Sequence, residues 1–204
     1  MDKFLALSDE KQKKIINAAL QCFGKFGYEK TSVNDIAVAA HISKASVFQY
    51  FGNKKGLYIY LTEYCEHLVK ESFDKTVLDE KTDLFDRILA SGRMKMESLK
   101  KQPYITQFIV SMWEETSLEV RDVLTAITED AGKFREDLVL REDDTLKFKN
   151  PADAEPVFRM LLLMAEGYAA RYRNAGEFAF DIVMDEFEKN VAVLRNNFYK
   201  EEFL

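Results

Sequence analysis

Two cysteines in 204 residues, Cys22 and Cys65, with no C-x-x-C pair, leave no material for a disulfide framework or a zinc knuckle, and both are expected as buried thiols. Histidine is equally scarce. Neither His41 nor His67 has a glutamate three residues earlier, which removes the paired Glu-x-x-His motif of a di-iron bundle. Glu63 and His67 share a helix face, but with no second histidine nearby they read as an exposed ion pair and not as a metal site. There is no Gly-rich phosphate loop, nucleophile elbow or Cys/His pair, so no enzyme activity, metal or cofactor is expected. The longest unbroken apolar run is Met160 to Ala165, far below the roughly 18 residues of a membrane span. The first ten residues hold no apolar stretch suited to a secretory signal, so the expectation is a cytoplasmic protein without membrane contact. Proline occurs only at positions 103, 151 and 156, each near an expected helix start, and no segment alternates as strands do.

The 47% hydrophobic and 31% charged content is that of an ordinary globular protein, long enough to bury a core. The net charge of −6 argues against a simple nucleic-acid coat, but its distribution is uneven. Residues 1 to 60 carry nine lysines against five carboxylates, a net of +4; the remainder carries 20 basic and 30 acidic side chains, a net of −10. A basic head on an acidic body can present only one end to phosphate.

The basic head contains the most informative stretch, Thr31 to Leu57. Thr31 or Ser32 can cap a short helix, with Asp35 at capping-box spacing from Ser32, and Val33, Ile36 and Ala37 form its apolar stripe. After His41 and Ile42, Ser43 can cap a second short helix with Lys44, Ala45, Ser46 and Gln49 outward and Val47, Phe48 and Phe51 inward. Two short helices across a tight turn make a helix-turn-helix, and the second has side chains able to donate to base edges and phosphates in a major groove. Ahead of it, a helix from about Ser8 to Phe26 is expected to bury Ile15 or Ile16, Ala19, Phe23 and Phe26, with Gly27 as a left-handed cap. Behind it, Asn53 can cap a long helix from Lys54 to about Val77, whose N-terminus with Lys54 and Lys55 is a ready phosphate site that the Tyr50 hydroxyl could join. Thr31 and Ser32 complete the DNA-facing candidates.

Ile16, Ala19, Phe23, Phe26, Gly27, Tyr28, Thr31, Ile36, Ala37, Ala40, Ile42, Ser43, Tyr50, Phe51, Asn53, Lys54 and Leu57 together resemble the N-terminal domain of the TetR family of transcription regulators. The resemblance covers roughly the first sixty residues. His41 stands where the family usually has Gly, Ala45 where it has Gly or another small residue, and Lys55 where it often has Glu. Histidine tolerates the positive φ of such a turn better than most non-glycine residues. The resemblance implies phosphate contacts for Tyr50 and Lys54, an operator of double-stranded DNA, a small-molecule effector and a body that holds it.

On that basis the chain divides into a helix-turn-helix domain over residues 1–53 and an all-α bundle for effector binding and dimerisation over residues 54–204. Further helices are expected near 82 to 101, 103 to 114, 116 to 140, 152 to 174 and 177 to 199, with QP, ETS, REDDTLKFKNP and NAG as separators. Bulky apolar residues in this body (Met94, Tyr104, Phe108, Met112, Trp113, Phe134, Met164 and Tyr168) are candidate pocket lining, although each is individually a good core residue. Glu166 follows the apolar run from Val157 to Ala165, where a carboxylate can orient a cationic or hydrogen-bonding ligand, pair with Arg171, or face water.

Phe180, Val183, Phe187, Val191, Leu194 and Phe198 recur at three- and four-residue steps, a stripe that predicts a four-helix subunit interface in a homodimer, or else a helix packed within its own chain. A two-fold dimer suits a palindromic operator. The expected function is a ligand-released repressor; the alternative is a helix-turn-helix protein of nucleoid or scaffold type without a ligand response.

Overall fold

The computed structural model describes residues 1–172 and 178–204. Their regular structure is helical, with a single antiparallel bridge between Phe148 and Tyr199. The helices are α1 (Asp2–Leu5), α2 (Asp9–Lys30), α3 (Val33–Ala40), α4 (Lys44–Phe51), α5 (Lys54–Glu71), α6 (Lys75–Asp79), α7 (Leu84–Lys100), α8 (Pro103–Trp113), α9 (Arg121–Val139), α10 (Ala154–Tyr172) and α11 (Phe178–Phe198). Among the described residues no helix is long and apolar enough to cross a membrane. The expected NAG separator lies outside the described residues, as does the side chain of Phe180.

Packing divides the chain into two compact units, residues 1–70 with 102–131 and residues 71–101 with 132–204. The first unit is organised on α2. Ile15, Ile16, Ala19 and Phe23 face inward as their spacing predicts, while Phe26 departs from expectation: it is 49% exposed, with the Lys25 ammonium 5.1 Å above its ring. The reason lies at Gly27, whose φ of 73° and ψ of 177° break the helix and turn Tyr28 inward in place of Phe26. This is not the left-handed helical cap expected, but an extended positive-φ conformation that only glycine adopts readily. Tyr28 then joins Phe23, Tyr58 and Phe108 in a buried aromatic cluster with ring centroids 5.0 to 6.3 Å apart. Helix α8 crosses α2 closely because Gly24 has no Cβ; an added one would stand 3.0 Å from the Phe108 backbone nitrogen. At the other end α1 inserts Phe4, fully buried, between Phe51 and Tyr60, and the Gln12 amide donates to the carbonyls of Leu5 and Leu7 to hold it there.

The second unit has its own core of Leu84, Phe85, Ile88, Phe148, Val157, Phe158, Leu161, Phe187, Val191 and Tyr199. Arg87 and Asp144, both nearly fully buried, are paired inside it. Arg87 Nε donates to the Val139 carbonyl at 2.7 Å and Nη1 to the Lys81 carbonyl at 2.8 Å, while Asp144 accepts the Arg141 amide at 2.9 Å. Every formal charge is thereby met, the condition on which a buried pair is tolerated.

Two expectations for the body change. The long helix from Lys54 stops at Glu71, and Asp74 caps the separate α6 by accepting the Thr76 amide at 2.9 Å. The stripe on the last helix packs against its own unit: Val183, Phe187 and Val191 are 6, 5 and 1% exposed, so they cannot also face a partner. Among the described residues, the large apolar side chains left on the outside of α10 and α11 are Met160, Leu163, Ile182 and Val193, between 43 and 62% exposed.

Candidate nucleic-acid interface and effector site

Helix α3 starts with the reciprocal capping box that its sequence spells. The Asp35 amide donates to Ser32 Oγ at 3.1 Å and the Ser32 amide to Asp35 Oδ2 at 3.3 Å. At its far end His41 sits at φ 55°, ψ 44°, the one non-glycine residue with positive φ among those described, and its amide closes on the Val38 carbonyl. The turn is therefore made with histidine where glycine would cost less. Ser43 caps α4 through the Ser46 amide at 3.0 Å, and its hydroxyl lies 2.8 Å from that of Ser46.

Helix α4 anchors by Val47 and Phe51, both buried, and presents Lys44, Ala45, Phe48 and Gln49 to solvent. Phe48, expected inward, is a correction: it is 43% exposed, and the Lys44 ammonium stands 5.9 Å from its ring centroid. Residues 47 and 51 lie one turn apart on the inner face, so position 48 is rotated about 100° away from them. That signal was present in the spacing. The outward face is thus a cation, a small residue, an aromatic ring and an amide, a combination able to donate to purine edges and to pack on thymine methyls.

Two of the expected DNA-facing residues are engaged by the fold instead. Thr31 is 2% exposed, and its hydroxyl donates to the carbonyls of Gly27 at 2.7 Å and Cys22 at 3.1 Å, tying off the end of α2. The Lys54 ammonium donates to the Tyr28 carbonyl at 3.0 Å and lies 4.2 Å over the Tyr28 ring. Tyr28 is held from another side by Glu115, whose Oε2 accepts its amide at 2.7 Å, while Oε1 accepts the amides of Thr116 and Ser117. Lys54 and Thr31 are positioning residues in this geometry. Asn53 caps α5 as expected, accepting the Gly56 amide at 2.8 Å, and an added methyl at Gly56 would collide with the Phe51 carbonyl. Lys55 and Tyr50 are half-buried at the same end, Tyr50 against Phe4 and Phe51. Both cysteines are buried and free; burial, and for Cys22 the nearby Asp35 carboxylate, push their thiols above the usual range and make them inert.

The expected pocket-lining residues divide between the units. Tyr104, Phe108, Met112 and Trp113 belong to the first, where Phe108 is fully buried in the aromatic cluster and is core, not lining. Met94, Phe134, Met164, Glu166 and Tyr168 belong to the second. The four apolar ones are partly buried and pack against the core of that unit. Glu166 is not poised for a cation: its Oε1 accepts from Arg135 Nη1 at 3.1 Å. Sequence reasoning missed Lys95, whose ammonium lies near both Arg135 and Glu166 and is pushed down to about 8, first by burial and then by the Arg135 charge.

Residues 15–61 match the family model described as bacterial regulatory proteins, tetR family. Over 172 residues the chain is 29% identical to the HTH-type transcriptional regulator YvkB of Bacillus subtilis (strain 168), an alignment covering 81% of this chain and 84% of that one. A TetR family transcriptional regulator from Chloroflexus aurantiacus J-10-FL shares the fold with a TM-score of 0.68 at 18% identity, over 98% of this chain and 99% of that one. The regulator FadR from Bacillus subtilis, solved in complex with stearoyl-CoA, gives a TM-score of 0.68 at 17% identity over 88% of this chain and 96% of that one.

Proposed function

Because the chain belongs to the TetR family of helix-turn-helix transcriptional regulators, we propose that it is a dimeric repressor released from a palindromic operator by a small molecule bound in its second unit. The observation that carries the DNA half of this reading is the solvent-facing row Lys44, Ala45, Phe48 and Gln49 on a helix capped by Ser43 and anchored by Val47 and Phe51. A helix of two turns with this face enters a major groove, and a dimer reads two half-sites about 34 to 36 Å apart or a multiple of that. The dimer contact falls to Met160, Leu163, Ile182 and Val193, which are apolar, exposed and on adjoining helices of one unit. Leu163→Asp with Val193→Asp is expected to give a monomer by light scattering at micromolar concentration; an unchanged dimer overturns that assignment.

Helix α5 supplies the coupling. It begins at Lys54, beside the reading helix, and ends at Glu71, where the chain enters the second unit. An effector need only bind the non-DNA form better; a 100-fold preference supplies about 2.7 kcal/mol. Selection of bound fragments from a random DNA pool tests the reading, with an inverted repeat as the expected outcome. No gel retardation with any genomic fragment at low ionic strength overturns it.

A further inference from the structure

We propose that Phe4 is a positioning residue for DNA binding: the single-turn α1 braces the last turn of the reading helix and through it presents the Tyr50 hydroxyl to the DNA backbone. This rests on the reading that α4 enters a major groove, and it adds to that interface a residue from outside the helix-turn-helix. Helix α4 has eight residues and α1 four, both too short to hold a helical shape without tertiary anchors. The buried anchors of α4 are Val47 in its middle and Phe51 at its end. The Phe51 anchor is built with α1. The Phe4 ring stands 4.8 Å from that of Phe51 and 5.4 Å from that of Tyr60 on α5, and the rings of Phe51 and Tyr60 are themselves 5.4 Å apart. Phe4 is 0% exposed, although Met1 and Leu5 to either side are 48 and 57% exposed, so α1 is docked by this one side chain.

The brace also reaches Tyr50. The Tyr50 ring lies 6.0 Å from the Phe4 ring and 6.2 Å from that of Phe51, so two neighbours restrict where the phenol points. Among the described residues its hydroxyl has no hydrogen-bond partner, and it is not one of the buried polar atoms. A clamped ring with its hydroxyl left to solvent is a donor held ready for an acceptor outside the fold. A phosphate oxygen at the groove edge is such an acceptor, and a donor fixed beforehand loses less entropy when the contact forms. Helix α1 is in turn fastened to α2. The Gln12 amide donates to the carbonyls of Leu5 at 3.2 Å and Leu7 at 2.9 Å, at the end of α1, where a short helix leaves its carbonyls unpaired. Covering Phe51 would by itself make Phe4 an ordinary core residue; the packing of Tyr50 on the same ring is what ties it to the DNA.

The test measures the affinity of the full-length protein for an operator fragment selected from random DNA and for a scrambled duplex of equal length. Fluorescence anisotropy at low ionic strength gives the affinities, and circular dichroism at the assay temperature checks folding. Phe4→Ala is expected to weaken binding to both duplexes by roughly tenfold, the worth of one hydrogen bond to a charged acceptor, and Phe4→Leu to recover most of that loss. Gln12→Ala, which loosens α1 without altering a core side chain, is expected to give a smaller loss in the same direction. Each variant is repeated with Tyr50→Phe, which keeps the ring and removes the hydroxyl. In that background the losses should shrink to about twofold or less, a non-additivity that weakened folding alone would not produce. Losses of equal size with and without the Tyr50 hydroxyl overturn the proposal, as do wild-type affinity in Phe4→Ala and a loss confined to the operator. If Phe4→Ala does not fold, Gln12→Ala decides: unchanged affinity, or a loss independent of the Tyr50 hydroxyl, overturns the proposal. Wild-type protein that binds neither duplex removes the reading of the head itself, a result distinct from all of these.

Discussion

The ammonium of Lys54 donates to the Tyr28 carbonyl at 3.0 Å while standing 4.2 Å above the ring of the same residue. The first turn of α5 is thereby fastened to the break in α2, and Tyr28 is fastened in turn to Glu115. Asn53 caps that helix, and Lys54 anchors its first turn. Lys54→Met, which keeps most of the stem and removes the charge, is expected to lower stability by about 1–2 kcal/mol. Chemical denaturation reads this directly, and DNA affinity should fall by the same factor on specific and random sequences. A loss confined to the specific site would mean that Lys54 reads bases.

The outward residues of α4 are expected to behave in the opposite way. Lys44→Ala, Phe48→Ala and Gln49→Ala should each relax preference at one or two operator positions, by about 1–3 kcal/mol against the wrong base. Lys55→Ala should weaken all sequences alike and shrink the salt dependence by about one unit of slope. Equal losses on specific and random DNA for every variant would remove the division of roles between reading and phosphate contact.

Inside the second unit, Arg87 and Asp144 are 3% and 1% exposed, and each meets the other's charge. Arg87→Met or Asp144→Leu alone should destabilise by about 3–5 kcal/mol, since each leaves a buried charge without its partner. The double variant should recover a large part of that loss. Urea denaturation of the four proteins completes the cycle, and additive losses would show that the two charges do not depend on one another.

Lys95 makes a prediction about pH. Its folded-state value is lowered from 10.5 to about 8, so between those values the unfolded chain binds a proton there that the folded chain does not. Stability then rises with pH across this window. The stability of wild type relative to Lys95→Met should accordingly increase from about pH 8 to about pH 10.5, measured by denaturant midpoints at each pH. A constant difference would place the ammonium in water.

Much of the head was legible because its determinants are local. A capping box needs only Ser32 and Asp35 three residues apart, the caps at Ser43 and Asn53 need only the amide three residues on, and a positive-φ turn needs a residue such as His41 that tolerates it. Periodicity likewise places Val47 and Phe51 in the core, and a stricter reading of it would have placed Phe48 outside. The all-helical class follows from the same regularities, along with the scarcity of proline and the absence of alternating runs.

What the sequence determined by itself, then, was the all-helical class, most of the long helices and the caps at Ser32, Ser43 and Asn53, because those depend on neighbours three or four residues apart. Tertiary structure alone decided that Lys54 spends its donor on the Tyr28 carbonyl 26 residues away, that Phe108 is core, and that the stripe of Val183, Phe187 and Val191 is covered by its own unit. Each of these turns on partners distant in the chain, or on which of two apolar faces meets the core. A side chain's type gives its capacity to donate, fill or repel; which capacity is used depends on what the fold brings within reach.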